Sequence, residues 1–280
     1  MAGRKWTAFP HPDKAYDYAG DRLARAWKTL HAGDLEPWPD SARITALLKQ
    51  NPRLGRNAAT LSAALQEAWR DYHRGDFQRA WESGVALGAL GASVAVKAAG
   101  IHATYLVDDA RLKTARFREA AEFAAEAIQD LPGEANSHYR HAFALGRYSQ
   151  CISIAKALAE GHAGKVRDAL EATLKIAPKH AEAHLAMGVY HAEIVGKVGS
   201  MLARLTYGAS AAAAEKHLAS ARELTPGAPI AWVETGNALL RLDADRRGDE
   251  AAEAYDHAMR LKPHDAMEAL DVAFAREQLA

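Results

Sequence analysis

Between residues 181 and 263, small and large apolar side chains recur at helical spacing, and the stretch contains two versions of one pattern. From Ala181, His184, Met187, Gly188 and His191 follow three or four apart, and Trp232, Thr235 and Gly236 repeat the start of that series. Positions three and four apart share one face of a helix, so each series predicts a helix with a close-contact glycine. Each is followed by a second helical pattern ending at proline: Ala214, Leu218, Ala221 and Pro226, then Ala251, Tyr255, Ala258 and Pro263. The steps are +4, +3 and +5 in both. Proline stops these helices because it lacks the amide donor and clashes one turn back. The chain thus reads as consecutive helix pairs.

Weaker versions lie upstream. Leu145 and Gly146 belong to a first helix, and Val166 to Ile176, stopped at Pro178, to its second. Ala120, Ala124 and Ala127, stopped at Pro132, form another second helix. Ala68, Trp69, His73, Gly75 and Asp76 mark a first helix ending at a Gly-Asp turn. Ala26, Trp27, His31, Gly33 and Asp34 match that series at five of nine positions. The match fits a degenerate repeat, a capping pair or chance similarity. Two pairs carry additions, near residues 158–164 and 195–210, that predict a lengthened first helix with a short extra helix or packed loop. Residues 1–57 differ: Trp6, Phe9, Tyr16 and Tyr18 are loop-like, Pro37 and Pro39 favour an extended connector, and Asp40 caps a short helix through Lys49. The expected division is a capping segment, 1–57, packed on the first pairs, then a repeat array, 58–280. A final helix runs from Asp265 to Leu279, because arrays need a cover for their apolar ends.

Hydrophobic residues make up 49% of the chain, enough to bury a core, but aromatics only 8%. Abundant alanine favours closely packed helices. Lys plus Arg and Asp plus Glu both number 35, so there is no basic excess to capture nucleic acid or an anionic membrane. One cysteine, Cys151, excludes an internal disulfide and a cysteine metal cluster. The first ten residues lack the apolar core of a leader peptide. The uncharged run from Ser83 to Val96 is too short to span a bilayer, and its Gly84, Gly88 and Gly91 predict close helix contact. A cytoplasmic protein is expected.

The glycine, alanine and proline positions of the two C-terminal pairs resemble the tetratricopeptide signature, and the wider resemblance covers about residues 60–263. It implies an all-α superhelix of four to five helix pairs. Pro178, His184 and Gly188, with Leu205, Tyr207 and Gly208, also resemble bacterial proteins similar to the regulator-of-microtubule-dynamics family, over about residues 135–265. In tetratricopeptide proteins the inner face of the first helices binds partners. Counting from the glycine places there Arg140, Phe143, Arg147 and Gln150, then Leu185, Val189 and Glu193, then Val233, Asn237 and Arg241. Arginines on such a wall can fork onto carboxylates, although a solvated helix face gives the same pattern. Val233 and Arg147 replace the lysine and asparagine of the subclass that clamps chaperone C-termini, so that clamp is not expected. The implied role is a protein- or peptide-binding scaffold; the alternative is a small-ligand or transport-accessory protein.

Catalytic readings are weaker. His180 and His184 are four apart, a spacing that can chelate zinc, but His184 and His191 also fill the repeat's large-ring positions. His138 and His141 are three apart on a helix start. Cys151, expected inside a helix, lacks the helix N-terminus that would activate a thiol. No phosphate loop or dinucleotide fingerprint occurs. No enzyme activity, metal or cofactor is expected.

Overall fold

The structure is a computed structural model that describes residues 6–280; residues 1–5, part of the stretch read as lacking a leader, lie outside the described residues. The described residues contain helices and no strand. In chain order these are α1 (Arg22–Leu30), α2 (Ser41–Gln50), α3 (Ala58–Arg74), α4 (Phe77–Ala86), α5 (Ala92–Tyr105), α6 (Ala110–Asp130), α7 (Ala135–Gln150), α8 (Ile154–Ala159), α9 (His162–Ile176), α10 (Ala181–Val198), α11 (Ser200–Tyr207), α12 (Ala211–Leu224), α13 (Pro229–Arg260) and α14 (Ala266–Gln278). None of them is long and apolar enough to cross a membrane.

Side-chain caps set many of the starts. Asp40, Asn57, Asp76, Asp109, Ser153, Ser210 and Asp265 each accept an amide hydrogen bond in the first turn of α2, α3, α4, α6, α8, α12 and α14. Such caps satisfy donors that the helix itself leaves unpaired. α13 breaks at Asp243, where φ −166° and ψ 90° turn one continuous run into two antiparallel halves.

The helices pack as successive pairs: α3 with α4, α5 with α6, α7 with α9, α10 with α12, and the two halves of α13, against which α14 lies. The first helix of each pair neighbours the next pair. Gly188 and Gly236 set the closest approaches. A Cβ on Gly188 would meet Leu218 Cγ at 2.7 Å, and one on Gly236 would meet the Tyr255 ring at 2.8 Å. Ala214, Ala221, Ala251 and Ala258 are buried opposite them. Gly84 and Gly91 likewise meet backbone to backbone, whereas Gly88 serves the turn between α4 and α5 with φ +58°.

α5 is covered on every side: its residues from Val94 to Ala103 are all buried. The extra segments form where α7 and α10 end, as the short helices α8 and α11. α11 rests on the body through Ala203 and turns Met201, 78% exposed, and Leu205, also 78%, to solvent. Cys151 differs from expectation: it ends α7 in a turn before the Ser153 cap and is half-buried.

The N-terminal segment reaches well past the first pair. The Tyr18 hydroxyl donates to the His264 carbonyl near α14 at 2.7 Å, and the Gly33 carbonyl accepts from the Glu182 amide at the start of α10 at 2.9 Å. Residues 31–39 run against α3, α5 and α7: His31 meets His73, Glu36 accepts from Ser93 and Asn136, and the Pro39 carbonyl accepts from Ser62.

Candidate functional site

A cleft of about 140 Å³ opens on the inner side, walled by α5, α7, α10, the first half of α13 and the start of α14. The spacing of three, four and seven along α7 and α10 brings Arg140, Phe143, Arg147, Gln150, Leu185, Val189 and Glu193 into its lining. Ile101, Tyr105, Ile230 and Met267 complete an apolar centre that position counting within the repeat pattern did not reach. The three α13 positions fall outside the lining. Val233 is buried in the packing of α13 on its own second half. Asn237 accepts the Tyr255 hydroxyl at 2.7 Å, and Arg241 pairs with Glu193 at 2.7 Å.

The arginines already have carboxylates. Arg147 Nη2 lies 2.5 Å from Glu234 Oε1, which pairs it across the cleft from α7 to α13. Burial pushes the Glu234 carboxyl up, but Arg147 and then Arg241 outweigh this and leave it below the usual range. Arg140 is buried and reaches Asp34 at 2.5 Å and Glu182 at 3.4 Å. The chain thus supplies its own acidic partners to the positions expected to meet a partner's carboxylates.

Beside the cleft lies a buried polar cluster built by the N-terminal segment. Leu35 has φ +49° and is 44% exposed. This uncommon left-handed turn for a branched residue sends the leucine outward while the carboxylates of Asp34 and Glu36 make contacts inward. Asp34 Oδ2 accepts from Lys97 at 2.7 Å as well as from Arg140, and Lys97 also reaches Glu182 at 3.0 Å. Burial alone would raise the Asp34 carboxyl; Lys97, His31 and Arg140 hold it well below its ordinary value. Glu36 takes hydrogen bonds from Ser93 at 2.5 Å and Asn136 at 2.7 Å. Burial, then the charge of Asp34, lifts its carboxyl to about 7.

Asn136 is held in turn by buried His180, whose Nε2 lies 3.0 Å from Asn136 Oδ1 and whose Nδ1 caps α10. His180 therefore serves the cluster, while His184 turns to His217, with 2.9 Å between their Nδ1 atoms. His138 contacts the Pro132 carbonyl and His141 the Ala121 carbonyl. Neither these two histidines nor Cys151 lines the cleft. Among the described residues, no three His, Cys, Asp or Glu side chains are placed to hold a metal ion.

The matched series at residues 26–34 and 68–76 meet face to face. Trp27 and Trp69 stand edge to face, 5.7 Å between ring centres, and His31 Nε2 lies 3.3 Å from His73 Nε2. Beyond the histidines, His31 Nδ1 meets Asp34 at 2.9 Å and His73 Nδ1 meets Asp265 at 2.8 Å.

The family model for regulator of microtubule dynamics protein 1-3 matches residues 94–269, from α5 into α14. The chain belongs to this family. The matched span of the regulator-of-microtubule-dynamics family contains every residue that lines the cleft, whereas His31, Asp34 and His73 precede it. No curated protein matches the chain.

Proposed function

We propose that the chain is a tetratricopeptide-like binding scaffold whose inner cleft takes apolar side chains of a protein partner. The observation that carries this reading is the composition of the cleft: Phe143, Leu185, Val189, Ile230 and Met267 surround its space, while its arginines are occupied by internal carboxylates. Recognition by a helix or extended segment then rests on a few apolar anchors, with the paired charges at the walls setting register. A partner does not need to be acidic, because the carboxylates are already in place.

A second reading, capture of a small ligand, is supported by Tyr190. Its hydroxyl is buried, lies in a residue lining the cleft and has no hydrogen-bond partner. An enclosed ligand with an acceptor atom would satisfy it.

A photo-crosslinking amino acid at Val189 tests both. Adducts with a single protein, lost when Leu185→Glu blocks the cleft without unfolding the chain, support the scaffold. Adducts with no protein, together with a small molecule retained in native mass spectra and released by Tyr190→Phe, favour the second reading and overturn the first.

A further inference from the structure

The row Asp34–His31–His73–Asp265 contains three buried contacts, at 2.9, 3.3 and 2.8 Å, and three hydrogen bonds require three hydrogens. The Asp34 carboxylate accepts Lys97 and Arg140 on Oδ2, so its Oδ1 takes a hydrogen from His31 Nδ1. Asp265 accepts the Glu268 amide on Oδ1, and its Oδ2 takes a hydrogen from His73 Nδ1. A neutral imidazole has one N–H. With both rings neutral, both hydrogens are spent on carboxylates, and two Nε2 lone pairs face each other across 3.3 Å. The middle contact needs one more proton.

We propose that the row binds one extra proton, and that this proton latches the N-terminal segment to α3 and to the start of α14. The latch closes the inner side of the molecule, since it joins the segment that carries Asp34 to the first pair and to the last helix. The surroundings favour it. Lys97 from α5 and Arg140 from α7 are the cations nearby; Asp34, Asp265, Glu182 from α10 and Glu268 from α14 are the carboxyls, with His264 bonded to Glu268. Trp27, Trp69, Tyr72 and, edge-on to His73, Tyr18 cover the imidazoles and keep water from replacing the missing hydrogen. Burial holds the His31 imidazole down to about 4, while Asp265 Oδ2 lies 2.8 Å from His73 Nδ1 on the other side of the row.

The sign follows from linkage. The unfolded chain, with independent histidines, releases such a proton near the ordinary histidine value of about 6.5. A folded row that holds it more tightly adds stability that is complete below that value and is lost as pH rises through the point of release.

Asp265→Asn separates this proposal from simple packing. The amide oxygen can still accept the Glu268 N–H, and asparagine is as good a cap as aspartate. The amide N–H can donate to His73 Nδ1, leaving His73 with an Nε2–H for His31, so three hydrogens are present with no extra proton. Unfolding titrations above pH 6.5 are expected to show wild-type stability falling relative to the variant by up to tenfold in folding constant per pH unit, one proton's worth. Parallel curves overturn the latch. If the variant fails to fold, ¹⁵N chemical shifts of the wild-type imidazoles decide the question: one doubly protonated imidazole in the row at pH 6.5 supports the proposal, and two neutral rings there overturn it.

Discussion

The α10–α12 and α13 pairs and the polar centre beneath the N-terminal segment are both well buried, yet they are held in opposite ways. In the first, glycine and alanine let helices touch, and Leu218 and Tyr255 fill the contact. In the second, Asp34, Lys97, Arg140 and Glu182 meet in the interior, joined from four separate elements. Apolar contacts tolerate small adjustments and are non-directional. A buried ion cluster is stable only when complete, because removing one member leaves the others charged and desolvated.

That contrast sets the size of the expected effects. Asp34→Ala takes the shared carboxylate from Lys97, Arg140 and His31 and is expected to cost ~3–5 kcal/mol, read as a lower urea midpoint. A loss as small as that of a surface charge would show that the centre does not act as a unit. Gly188→Ala puts a methyl group 2.7 Å from Leu218 Cγ and 3.1 Å from the Ala214 carbonyl. An overpacking loss of ~1–3 kcal/mol is expected, with a lower melting temperature and unchanged pH dependence. Arg147→Gln, which keeps a donor but removes the charge, is expected to cost on the order of 1.5 kcal/mol at pH 7. Glu234 is depressed below its ordinary value, so its contribution is present above the unfolded glutamate pKa and lost as pH falls through the folded one. The variant should therefore show a shallower acid limb in an unfolding titration, and an unchanged limb would remove Arg147 as the cause.

The pairs were legible because their signals are local. Ala214, Leu218, Ala221 and Pro226 lie within one helix and its stop, and the cap at Asp265 sits one residue before α14. Much of the cleft was legible too, since a helix face follows from spacing on α7 and α10. The α13 positions departed because the chain reverses at Asp243, and Val233 faces its own second half. The partners of the arginines were not legible, because Arg140 meets a residue 106 positions away and Arg147 one 87 away. No periodicity encodes such distances. One clue existed: the match between residues 26–34 and 68–76 pointed at the two stretches that face one another, without saying that they would.

The His73–Asp265 contact spans 192 residues, and this has a consequence for how the chain acquires its structure during synthesis. The pairs can form in order as each emerges from the ribosome, since their contacts are mainly between neighbours. The N-terminal segment cannot complete its seat until the residues just before α14 are made, long after α3. Domains dominated by such non-local closure fold slowly. The segment that carries His31 is therefore made well before its last contact, and until α13 has been synthesised His73 lacks the carboxylate that completes its pairing.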